Sequence, residues 1–152
     1  MSHEASTSPA PAPSTKFLLD VNALLAGVWG HHSRHSEAFA WLKGKSIVLC
    51  PLAELGFLRI SANKKAINVE MEKAREALEK FCAERKAERI TDDLPALESH
   101  PKTSEQVTDL YLADLAARHG LKLATFDEGL TIWLCRASHL RLKALPAKTM
   151  AN

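Results

Sequence analysis

Gln106–Asp127, reading QVTDLYLADLAARHGLKLATFD, decides the fold. Thr103 and Gln106 just ahead of it have the T-x-x-Q spacing of a capping box, which predicts a helix beginning at Thr103. Gly120 is the matching stop signal, so the helix should end at His119 and give way to a strand over Leu121–Phe126. At about 100° per residue, Asp109 shares a helical face with Leu112, Ala113 and Ala116. That face is apolar and small, suited to close packing on a sheet. A carboxylate carried on it loses solvation and must be paired, protonated or metal-bound. Asp114 lies well round the helix and is expected to pair at i+4 with Arg118 on the solvent face. The chemistry is therefore assigned to Asp109, with Asp127 following directly at the end of the strand.

Working outward, Lys16–Asp20 (KFLLD) contains a continuous apolar run that suits a strand buried on both faces. Asn22–Val28 reads as a short helix, and His35–Leu42 as a second with Ser33 as its cap. Ser46–Leu49 (SIVL) is another buried strand, and Pro51 is well placed in the first turn of a helix reaching Ile60. The most charged helix spans Val69–Glu84, with Met71, Ala74, Leu78, Phe81 and Cys82 as its apolar stripe. A short strand is expected over Glu88–Thr91, then a loop over Asp92–Pro101 anchored by Leu94 and Leu97. Leu140–Leu145 alternates like a half-exposed edge strand. Strands alternating with helices predict an α/β sandwich around a largely parallel sheet, joined by right-handed crossovers.

The 152 residues suffice for one domain with a sizeable core and are too few for two. Hydrophobic residues at 46% and charged residues at 25% are globular values, and a net charge of +2 tolerates a polyanionic partner without demanding one. Residues 1–15 are rich in Ala, Ser, Pro and Thr and lack large apolar side chains, so they read as a disordered tail. Residues 16–147 form the single expected domain, and 148–152 a C-terminal tail. The three cysteines, Cys50, Cys82 and Cys135, are far apart and form no CxxC pair; they read as idle thiols in a reducing compartment. No basic-then-apolar leader opens the chain, and no apolar run approaches the roughly 18 residues of a membrane span. A soluble, cytoplasmic protein is expected.

Four acids stand at strand-to-helix junctions or strand ends: Asp20, Glu54, Asp109 and Asp127. Ligands of open α/β sheets collect outside the carboxyl ends of the strands. Each acid alone is equally a cap, a turn residue or a surface charge; together at one sheet edge they make a divalent-metal site. The pieces FLLDVNALLA, CPLAELGFLRI and VTDLYLADLAARHGLKLATFDEGL resemble the PIN-domain nucleases, and most closely the VapC-like ribonuclease toxins of type II toxin–antitoxin modules. The resemblance covers Lys16 to Leu145 and is most specific in the last piece.

The resemblance implies a PIN-like three-layer α/β/α sandwich with Asp20, Glu54, Asp109 and Asp127 as catalytic, metal-binding acids. It implies support from Asn22 and Thr125, and contact of Arg59 with substrate or a partner. It further implies hydrolysis of RNA dependent on Mg²⁺ or Mn²⁺, inhibition by a cognate antitoxin, and a homodimer. Crowded carboxylates repel one another, and a hard divalent cation with oxygen ligands removes that conflict. Water acidified by such an ion attacks a phosphodiester without any protein nucleophile. Two readings compete: a catalytically inactive PIN-like RNA-binding or interaction module, and a phosphoryl-transfer protein using Asp20 as nucleophile. The latter folds want a second Asp two residues on, where this chain has Asn22.

Other features have plainer readings. His31, His32 and His35 cluster after the first helix, but Zn²⁺ would need ligands that the spacing does not supply; a solvated or RNA-facing loop is preferred. Lys64, Lys65, Arg85, Lys86 and Arg89 read as a solvated face rather than a nucleic-acid rim, because Glu residues interleave with them. Leu110 and Tyr111 face away from the sheet-facing stripe and are read as an exposed dimer contact or as packing against the charged helix. Trp29, Trp41 and Trp133 are read as core or groove lining.

Overall fold

A computed structural model describes residues 15–126 and 143–144. Strand β1 is Lys16–Leu19, followed by helices α1 (Val21–Val28) and α2 (His35–Leu42), strand β2 (Ser46–Leu49), and helices α3 (Pro51–Ala62) and α4 (Met71–Arg85). Strand β3 (Glu88–Arg89) leads through two single 3-10 turns to helix α5 (Val107–Arg118), strand β4 (Lys122–Thr125) and strand β5 (Lys143–Ala144). The strands form one sheet in the order β3-β2-β1-β4-β5, and every neighbouring pair is parallel.

Strand periodicity divides the core into two layers. Phe17, Leu19, Ile47 and Leu49 point to one face, where they pack with Leu24, Leu25, Trp29, Trp41, Phe57, Leu78 and Phe81 from α1–α4. Leu18, Val48 and Leu123 point to the other, where Leu112, Ala113, Leu115 and Ala116 of α5 cover them. The apolar runs in β1 and β2 are continuous because both faces of these strands are covered. Trp29 is satisfied as well as buried: its ring stacks on Phe57 at 5.8 Å and its Nε1–H donates to Ser61 Oγ at 2.9 Å.

Several local expectations change. The capping box does not form, because a 3-10 turn over Ser104–Gln106 tightens the entrance to α5. Gln106 Oε1 instead accepts from Lys102 N at 2.9 Å. Ser33 is not the cap of α2; Arg34 holds that position, and His32 Nδ1 accepts from Arg34 N at 3.0 Å. Met71, first residue of α4, is 47% exposed, while Ala74, Leu78, Phe81 and Cys82 are buried as their spacing predicts. Leu94 anchors the segment after β3, but Leu97 is 91% exposed.

Leu110 and Tyr111 are neither a free surface nor packed on α4. Leu110 is buried in the α5-side core, and Tyr111 O–H donates to Leu94 O at 2.8 Å. The segment after β3 folds over α5 and covers both, a tertiary contact invisible to helical phasing. Residues 1–14, Asp127, Trp133, Cys135, the C-terminal tail 148–152 and all of Leu140–Leu145 except Lys143–Ala144 lie outside the described residues.

One close contact fixes α3 against α1. A Cβ built on Gly56 would stand 2.7 Å from Val21 Cγ2, and Val21 is the residue after Asp20. Gly56→Ala should therefore overpack the α1–α3 contact and cost about 1–3 kcal/mol, read as a lower urea midpoint at unchanged m-value. An unchanged midpoint would show that the helices separate freely.

Candidate active site

Three helices begin at the carboxyl edge of the sheet. Helices α1 and α3 start directly after β1 and β2. Helix α5 runs back through the turn at Gly120 (φ +69°) into β4, so its first turn lies at the same edge. Strands β2 and β4 flank β1 on opposite sides, and the helices that follow and precede them cover opposite faces. The carboxyl ends of β1 and β4 thus form a topological switch point.

Asp20 sits at that point and is only 2% exposed. It is the N-cap of α1: its Oδ1 accepts from Ala23 N at 2.7 Å and its carbonyl accepts from Leu24 N at 3.0 Å. Its own N–H donates to Ala124 O at 3.2 Å, which ties it to β4 beside the fully buried Thr125. Asn22 is exposed in the first turn of α1. Asp109 lies in the first turn of α5, half-buried, one or two turns before Leu112, Ala113 and Ala116, which are all buried against the sheet. Asp109 and Asp114 are alike in being half-buried.

Glu54 occupies the first turn of α3, but its carboxylate is engaged: Oε2 accepts from Arg89 Nε at 2.9 Å. Arg59 is exposed on the same helix, one turn beyond the 63%-exposed Leu55. Among the described residues, no three His, Cys, Asp or Glu side chains are grouped so as to hold a metal ion. Asp20, Glu54 and Asp109 thus share an edge without forming a three-ligand cluster by themselves, and Asp127 lies outside the described residues. Donor chemistry suits a hard cation nonetheless: Asp20 and Asp109 offer carboxylate oxygens, one buried and one half-buried.

Sequence reasoning missed three neighbours. Arg89, which reads as part of a solvated face, pairs with Glu54 and also donates from Nη2 to Cys82 Sγ at 3.3 Å. Asp92 caps α3 from 40 residues away, its Oδ2 accepting from Leu52 N at 3.0 Å. Arg34 lies 4.3 Å above the Phe126 ring, which brings the histidine-bearing turn to the end of β4. A charge or an acid in a loop is the only local signal of these contacts, and it does not name the partner.

Asp114 does not pair with Arg118. Burial raises its carboxyl above the usual carboxylate range, opposed by the Ser99 hydroxyl and His100. Arg118 turns to Asp93 at 3.5 Å, where His119 Nε2 also lies 2.8 Å from Oδ1. Asp93 is held below its ordinary pKa chiefly by that His119 contact. His31 tilts against Trp29 and His35 against Phe39, while His35 Nδ1 lies 2.8 Å from Ala26 O. Burial pushes the Cys50 thiol up to about 12 and also raises Cys82, which disfavours the thiolate at both buried cysteines.

The chain matches the PIN domain family over residues 17–132 and belongs to that family. Its relatives include Ribonuclease VapC38 of Mycobacterium tuberculosis, 35% identical across 74% of this chain and 85% of that protein. Ribonuclease VapC39 from the same species is 33% identical across 74% of this chain and 89% of that protein. Solved structures share the fold. VapBC2 from Rickettsia felis, bound to a DNA fragment from its promoter, superposes with a TM-score of 0.58 at 16% identity, covering 87% of this chain and all of that one. FitAcB from Neisseria gonorrhoeae gives 0.53 at 19% identity, covering 86% and 96%.

The long-range cap should be measurable. Asp92→Ala removes the acceptor at the start of α3 and should lower stability by about 1 kcal/mol in urea unfolding, whereas Asp92→Asn should recover most of the loss. Equal stability of all three proteins would contradict a capping role.

Proposed function

We propose that this protein is a VapC-like endoribonuclease toxin that hydrolyses RNA phosphodiester bonds with Mg²⁺ or Mn²⁺. The observation that carries the reading is the membership of the PIN family, with Asp20 capping α1 at the switch point of the sheet and Glu54 and Asp109 in the first turns of α3 and α5. Asp20, Asp109, Glu54 and Asp127 are the residues that would hold the ion. When bound, it supplies Lewis-acid stabilisation of the phosphate and acidifies water.

The chain's own residues supply the rest. The Ala23 N–H fixes one oxygen of Asp20 and so orients the other. Thr125 is buried beside Asp20 and supports it, and Asn22 stands at the open side of the same edge. The N-termini of α1, α3 and α5 place partial positive charge at this edge, which favours a phosphate. Arg59 projects into solvent for substrate or partner contact.

A cognate antitoxin and cytoplasmic action belong to the same reading, which the kinship with VapC ribonucleases supports. No helix among the described residues is long and apolar enough to cross a membrane. A homodimer belongs to the same reading; with Leu110 and Tyr111 covered, the exposed apolar side chains available to it include Leu55, Leu97 and Val107. One observation favours the second reading, a PIN-like module that binds RNA without cutting it: Glu54 is already occupied by Arg89.

Incubation of total RNA with the purified protein separates the two. Cleavage is expected with Mg²⁺ or Mn²⁺, to vanish in EDTA and in Asp109→Asn, and to persist in Asp114→Asn. Metal-independent cleavage, or loss of activity in Asp114→Asn with Asp109→Asn active, would contradict the assignment. RNA binding with no cleavage under any metal would favour the module.

A further inference from the structure

Arg89 stands on β3, two strands from β1, where Asp20 stands at the carboxyl end. Its guanidinium is fixed at two points: Nε bonds Glu54 Oε2 at 2.9 Å, and Nη2 reaches the buried Cys82 Sγ at 3.3 Å. The Glu54 side chain is largely sheltered at 19% exposure, while the Arg89 side chain is 55% exposed. A guanidinium stays protonated at every accessible pH, so its charge is permanent. Any cation reaching for Glu54 meets a fixed positive charge already seated on that carboxylate.

We propose that Arg89 is an internal counter-cation that competes with the divalent ion for Glu54 and so sets how much metal the site requires. The proposal rests on the metal-site reading above. It differs in sign from the usual outer partner of a ligating carboxylate, which orients the ligand and whose loss weakens metal binding about 10- to 100-fold. The geometry favours competition: the pair uses one nitrogen of the guanidinium fork on one carboxylate oxygen, a single bond that an ion can displace. Arg89 is a positioning residue in this scheme: it acts on the metal site through Glu54 and touches no reacting atom.

The test is a Mn²⁺ titration of the full chain, by calorimetry or by the loss of free-Mn²⁺ paramagnetic resonance signal. Wild type, Arg89→Met, Arg89→Gln, Arg89→Lys and Asp109→Asn are compared, with circular dichroism reporting folding. Removing the charge in either neutral variant should lower the Mn²⁺ Kd about 3- to 10-fold, a moderate effect because Arg89 is half in solvent and screened. Arg89→Lys, which keeps the charge, should stay within about 2-fold of wild type, and Asp109→Asn should bind far more weakly. Unchanged or weaker binding in the folded neutral variants overturns the competition and leaves the metal site standing. Absence of any Asp109-dependent Mn²⁺ binding in all the proteins overturns both.

Discussion

The carboxylate of Asp20 is almost fully buried at the end of the central strand, and the architecture around it answers to that cost. An ionised carboxylate held in the interior carries a desolvation penalty of several kcal/mol. Part is offset by the Ala23 N–H and by the partial positive charge at the start of α1. Strand β1 can bring the group there because both its neighbours are parallel to it, and because Asp20 N continues the ladder to Ala124 O. A helix starts or returns at each of the three strand ends, so backbone N–H groups of their first turns lie at this edge.

Small residues set how closely the helices pack. Gly56 lets α3 lie against Val21 of α1, and Ala113 and Ala116 let α5 lie on the opposite face of the sheet. Arg89 forms an ion pair with Glu54 in the first turn of α3. Asp92, holding the start of α3, links the segment after β3 to the same corner.

The layers were legible because they follow periodicity. The apolar runs at Phe17–Leu19 and Ile47–Leu49, the alanine face of α5 and the stop at Gly120 are local signals, and each is realised. What was not legible depends on contacts between residues far apart in sequence. Glu54 and Arg89 are 35 residues apart, Leu52 and Asp92 40. Tyr111 is satisfied by a carbonyl in the segment that covers it, so a helix surface that phasing leaves open is closed by the chain itself. Arg118 has Asp114 one turn away and pairs with Asp93 instead, while burial raises the Asp114 carboxyl. Side-chain pairing on a helix is worth only a few tenths of a kcal/mol, about 0.2–0.5, and tertiary contacts override it.

The claim that the carboxyl edge is a metal site is tested most directly by anomalous diffraction from crystals soaked in Mn²⁺, recorded on both sides of the manganese absorption edge. The account predicts a manganese peak at the end of β1, within bonding distance of carboxylate oxygens of Asp20 and Asp109. A peak elsewhere, such as at the histidine-bearing turn before α2, or no peak at this edge at saturating Mn²⁺, would contradict it.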